Sequence, residues 1–122
     1  MRLLVCGSRE WTNKEAIRNK ILKLKPEVVI QGAARGADLL AEEVAKEEQI
    51  DYLGFPAKWK THKRAAGPIR NRHQFDIGKP DRVIAFHEDL DNSKGTKDMV
   101  LYAISQGCPV EYFDNKFWRK LQ

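Results

Sequence analysis

A chain of 122 residues, 42% apolar and 32% charged, has the length of one domain (1–122) that buries roughly two-thirds of its unfolded surface. No apolar run approaches the ~20 residues that carry a helix across a bilayer, so a membrane-spanning helix is excluded and no membrane partner is expected. The net charge of +5 gathers between Pro56 and Phe75, where Lys58, Lys60, Lys63, Arg64, Arg70 and Arg72 stand without a carboxylate. Such a stretch suits either a nucleic acid or small polyanion, or a solvated basic helix face.

The chain enters a strand at once (residues 3–6, Leu-Leu-Val-Cys) with no signal-peptide pattern before it, and a cytoplasmic protein is expected. Thr12 or Asn13 can cap a helix over 13–24, in which Ala16, Ile17, Ile21 and Leu24 share one face. Pro26 closes that helix and Val28-Val29-Ile30 forms a second strand. Residues 37–48 carry Ala37, Leu40, Ala41, Val44 and Ala45 at helical spacing, with charge opposite. A third strand covers 52–55 and ends at Pro56.

Residues 58–78 mix their signals: a helix is expected over 70–77, with Gly67-Pro68 as a break or a start. The apolar run 83–86 suits a strand buried on both faces. A polar loop follows over 87–92, then a helix over 96–106 with Met99, Val100, Ala103 and Ile104 inward and Gly107 beyond its end. Residues 109–112 give a fifth strand, and the tail with Phe117 and Trp118 is expected to fold back as a short helix. Cys6 and Cys108 sit in apolar settings on strands, as buried thiols do.

Strands alternating with helices in this order define an α/β protein: five parallel strands in the order 3-2-1-4-5, with right-handed crossovers and helices on both faces. In such open sheets ligands bind beyond the carboxyl ends of the strands. Four clusters gather there. Gly7-Ser8-Arg9 follows the first strand, where free amides and a guanidinium fork suit a phosphate. Gly32-Ala33-Ala34-Arg35-Gly36-Ala37-Asp38 opens the second helix, whose N-terminus favours an anion. Asp38 there either complements the dipole or accepts a ribose hydroxyl.

Arg70 and Asn71 lie in the basic stretch, and Ser93-Lys94-Gly95-Thr96 opens the last helix as a cap or a phosphate cradle. Trp59 and Trp11 can stack a base or pack in the core. The ligand contacts expected are thus Gly7, Ser8, Arg9, Gly32, Arg35, Gly36, Asp38, Trp59, Arg70, Asn71, Ser93, Gly95 and Thr96. They would take a small nucleotide-like ligand or a nucleic acid. His62, His73 and His87 lack metal-ligand spacing, and no metal or cofactor is expected. A dinucleotide Gly-x-Gly-x-x-Gly fingerprint does not occur.

These clusters in this order resemble the SLOG superfamily of Rossmann-like three-layer domains. The resemblance is to its small single-domain branch related to YspA and YpsA proteins, found in bacteria and often phage-borne. It runs through Gly7-Ser8-Arg9, Gly32-x-Ala34-Arg35-Gly36-Ala37-Asp38, Ala57-x-Trp59, Ala66-Gly67-x-x-Arg70-Asn71 and Ser93-x-Gly95-Thr96. Ala33 departs from it, since the branch usually has a second glycine there. The branch implies a nucleotide or nucleotide-derived ligand, and pairing through helices in relatives implies a possible homodimer.

The Lonely Guy phosphoribohydrolases are similar in fold and cleave the N-glycosidic bond of nucleoside monophosphates. Their Arg-Lys pair is similar to Arg70-Asn71, which implies a catalytic role for Arg70. Their catalytic glutamate falls on Met99, leaving the adjacent Asp98 as the carboxylate of an alternative hydrolase reading. The DNA-processing protein A family has segments similar to 32–38 and 70–72, and implies binding of single-stranded nucleic acid.

Overall fold

Alternation along the strands sorts their side chains onto two faces, and each face collects its own helices. The computed structural model describes residues 1–122. β1 (Arg2–Gly7), β2 (Val28–Gln31), β3 (Asp51–Gly54), β4 (Arg82–Phe86) and β5 (Val110–Phe113) are parallel, and β6 (Trp118–Lys120) runs antiparallel to β5. The sheet order is β3-β2-β1-β4-β5-β6. Leu3, Val5, Val29, Ile84 and Phe86 meet α1 (Lys14–Leu24) and α2 (Ala37–Glu47) through Ile17, Ile21, Ala41 and Val44. Leu4, Cys6, Ile30, Val83 and Val110 meet α5 (Gly95–Ser105) through Met99, Val100 and Ala103 on the other face. α4 (Ala66–Gly78) lies beside α5, and Gly78 is close enough to β2 that a Cβ there would sit 3.1 Å from Ile30.

Helix ends follow local chemistry. Asn13 caps α1 by accepting from the Ala16 amide at 3.1 Å. The uncertain 58–78 region resolves into α3 (Trp59–His62), a 3-10 turn over Lys63–Ala65, and α4. Gly67-Pro68 stands in the first turn of α4, where a proline removes no helical hydrogen bond. α4 therefore starts four residues earlier than helical spacing alone suggests.

The tail differs from expectation: residues 118–120 form a sixth strand rather than a short helix, and the sheet has six strands, one of them antiparallel. The reason is aromatic. Trp118 stacks on Phe113 with centroids 4.8 Å apart and meets Phe86 edge-on at 5.7 Å. Lys20 lies over its ring at 4.3 Å. Only an extended tail pairing with β5 brings Trp118 into register with Phe113. Trp11, 2% exposed, belongs to the same group and donates its indole N–H to Asn13 O, so it packs in the core and is unavailable for stacking. Trp118→Ala should lower unfolding stability by about 2 kcal/mol in chemical denaturation, less than a fully buried tryptophan would cost. Phe117→Ala, at a side chain 65% exposed, should change it by less than about 0.5 kcal/mol.

Candidate functional site

The carboxyl ends of β1, β2 and β4 bring three of the four clusters to one edge, and α4 brings the fourth. The turn after β1 is built by Ser8, whose amide donates to Phe86 O (2.8 Å) and whose hydroxyl accepts from the Glu10 amide (3.0 Å). Its carbonyl accepts from Trp11 (3.2 Å) and from Ala37 (3.1 Å), the first residue of α2. Gly7 and Gly36 make this possible. A Cβ on Gly7 would lie 2.1 Å from Phe86 O, and one on Gly36 would lie 2.2 Å from Ser8 O. Gly36 also has φ +81°, which only glycine adopts without strain. These two glycines and Ser8 shape the floor of the site.

The loop over 32–36 is gripped from both sides. Asp38, 6% exposed, accepts from the Ala34 amide at 3.3 Å, and the Gly32 amide lies close enough to help lower its carboxyl. Arg70 Nη1 donates to Gly32 O at 2.5 Å, and Arg70 Nε donates to Asn71 Oδ1 at 3.1 Å. A Cβ on Gly32 would lie 2.6 Å from Arg70 Nη1 and 2.8 Å from Asp38 Oδ2, so any side chain there would push the two apart from the backbone. Ala33 holds φ +58°, the conformation that explains why the resembling branch favours glycine there. Its methyl lies beside Gly54, where an added Cβ would touch it at 3.8 Å.

Asn71, 3% exposed, donates to Gly95 O (3.1 Å) and to Asp98 Oδ2 (2.9 Å), which ties α4 to the start of α5. Arg72 closes on Asp98 with two bonds of 2.9 and 3.1 Å. Ser93 Oγ accepts from the Thr96 amide at 3.1 Å, one of the two roles expected for it. Gly95 faces open space, with nothing near the position of a Cβ. Trp59 is 48% exposed, and the Arg9 guanidinium lies 5.3 Å from its ring centroid. Arg35 points outward, 70% exposed, and pairs with Glu10 at 2.5 Å on the rim. Glu10 was not foreseen, although a carboxylate next to Arg9 in the first loop was a signal for it.

Electrostatics set Asp38 apart. Burial pushes its carboxyl up to about 6, against the pull of Arg70, the two loop amides and Arg9. Burial likewise lowers Arg70, which Asp38 partly offsets. Beneath them Cys6 is raised well above the ordinary thiol range by burial and by Asp38, so it stays protonated and unreactive. Asp98 differs: burial raises it, but the Arg72 and Asn71 hydrogen bonds outweigh this and hold it below the usual carboxylate range.

A mostly parallel α/β sheet with helices on both faces and glycine-rich loops at its carboxyl edge defines a Rossmann-like domain. The chain belongs to the YspA, cpYpsA-related SLOG family, whose family model matches residues 1–62. Among solved structures it is similar to DNA processing protein A from Streptococcus pneumoniae, with a TM-score of 0.73 at 18% identity over 91% of this chain. The match covers 49% of that protein, so the chain spans about half its length. No curated protein matches the chain. No helix is long and apolar enough to cross a membrane.

A carboxyl raised from 3.8 to about 6 on folding gives stability that is fully present below pH ~4 and is lost as pH rises through about 6. At pH ~8 the ionised, nearly inaccessible Asp38 therefore costs about 3 kcal/mol. Asp38→Asn keeps an acceptor oxygen for the loop amides. It should be more stable than the parent to urea at pH ~8, by up to about 3 kcal/mol, with the gain vanishing toward pH ~4.

Proposed function

We propose that this chain binds a nucleotide or nucleotide-derived ligand with its phosphates at the carboxyl edge of the sheet. The observation that carries the reading is that Arg9 and Arg70, from different elements, both act on the buried Asp38 carboxyl, Arg70 against the Gly32 backbone and Arg9 over a half-exposed tryptophan. Arg70 has two of its N–H groups fixed by Gly32 O and Asn71 Oδ1, which aims the rest of its fork at an anion. Ser93, Gly95 and Thr96 add the N-terminus of α5 from the opposite side. Trp59 supplies a stacking face, one side of which Arg9 already covers. Arg35 acts from the rim, and Asp38 holds the loop from below.

Arg70→Ala should weaken binding of a responsive nucleotide by ~1.5–3 kcal/mol in calorimetric titration. Arg35→Ala, freeing an exposed pair, should cost less than about 1 kcal/mol. Unchanged affinity in Arg70→Ala would remove the central assignment. The alternative hydrolase reading, with Arg70 and Asp98 as catalytic residues, has less support. Asp98 is engaged by Arg72 and Asn71, and Met99 is 1% exposed in the core. Release of free base from a nucleoside monophosphate, abolished in Asp98→Asn, would restore it.

A second reading, single-stranded nucleic-acid binding, is favoured by one observation. Lys58, Lys60, Lys63 and Arg64 surround Trp59, all exposed, while the ion pairs of the molecule engage cations elsewhere, such as Lys14, Arg18, Lys20 and Arg82. If this strip holds a strand, oligo-dT affinity should fall linearly with log salt, with a slope near −0.7 for each phosphate neutralised. Lys60→Glu with Arg64→Glu should flatten that slope and leave a mononucleotide's affinity unchanged.

A further inference from the structure

We infer that the anion site takes up a proton with its ligand, and that Asp38 is the group that accepts it. The inference rests on reading this edge as an anion site, and concerns the regulation of that site. Asp38 Oδ2 lies 2.8 Å from the point where a Cβ on Gly32 would sit and Arg70 Nη1 lies 2.6 Å from it, and the charges of Arg70 and Arg9 both act on the carboxyl. Its hydrogen bonds go to loop amides, and Arg70 directs its own to Gly32 O and Asn71 rather than to the carboxylate. The carboxylate is thus steadied by the charge of two arginines without an ion pair to either.

An anion bound by those arginines withdraws that support and adds a negative charge beside a side chain that water hardly reaches. Protonation of Asp38 removes the conflict. The binding of proton and anion must then reinforce one another by the same factor in each direction. The groups that face Asp38 are Cys6 from β1, Arg9 from the loop after it and Arg70 from α4. None of these changes charge near neutral pH, which leaves Asp38 as the titrating member. His87, in the loop after β4, also titrates near this edge: burial lowers it, and Glu88 and Asp89 oppose the shift. It needs its own control.

The same coupling bears on which anions the site admits. With Asp38 ionised, Arg9 and Arg70 leave a net single positive charge. With it protonated they leave two, so acidification favours pyrophosphates and dianions over singly charged esters. ADP-ribose serves as the probe because its phosphates carry no proton near neutral pH, and inorganic sulfate serves as a second anion without a base. Calorimetric titration is done from about pH 8 to about pH 6, in buffers of differing ionisation enthalpy to count protons taken up.

The expected result is a dissociation constant that falls by up to about tenfold per pH unit, with close to one proton absorbed above pH ~6.5. Asp38→Asn should bind with little pH dependence and no proton uptake, while His87→Asn should keep both. Carboxyl carbon NMR of Asp38 should show its titration moving to higher pH when sulfate is added. Binding that is equally tight across the range, or proton uptake that survives in Asp38→Asn and disappears in His87→Asn, overturns the inference and leaves the anion site standing. Failure of both probes to bind at any pH removes the anion site and the inference together.

Discussion

Everything at the carboxyl edge depends on how closely the turn after β1 approaches the start of α2. The Ser8 carbonyl receives the Ala37 amide at 3.1 Å, and no side chain fits between them at Gly7 or Gly36. That contact fixes where α2 begins and therefore where Asp38 hangs. It also fixes the path of the 32–36 loop. A methyl group at either glycine would collide with backbone, which cannot move without parting strand from helix. The site inherits its geometry from main chain rather than from flexible side chains.

The helix N-termini at this edge are not equivalent. At α2 the first amide is already engaged by Ser8 O, and Asp38 takes loop amides that would otherwise face a ligand. At α5 the Ser93 hydroxyl satisfies only the Thr96 amide, and Gly95 opens onto free space. Sequence treats the two clusters alike because each pairs glycine with a helix start. The difference arises from tertiary hydrogen bonds, which spacing does not encode. On the proposed reading, a ligand phosphate would meet α2 through its loop and α5 through its dipole.

Much of the architecture was legible because apolar periodicity and turn residues agree along most of the chain. β1, β2, β4, α1, α2 and α5 appear within one or two residues of their expected bounds. The tail was misread because Phe117 and Trp118 carry no period of their own, and their pairing depends on Phe113 across the sheet. At the site, Arg70 and Trp59 lie where the clusters suggested. Arg35 does not turn inward, since Glu10 draws it to the rim. The engagement of Asp98 by Arg72 follows from the packing of α4 against α5, a contact invisible along the chain.

The three tryptophans fall into three separate environments. Trp11 lies in the core, Trp118 is stacked at the last strand pair, and Trp59 stands half in solvent under the Arg9 guanidinium. The first two follow the integrity of the sheet. The third has no aromatic neighbour among the ring pairs of the molecule, so its emission is an optical signal of what arrives at the edge. Replacing the two sheet tryptophans by phenylalanine would leave a protein whose tryptophan fluorescence, excited beyond the tyrosine absorption, belongs to the site alone.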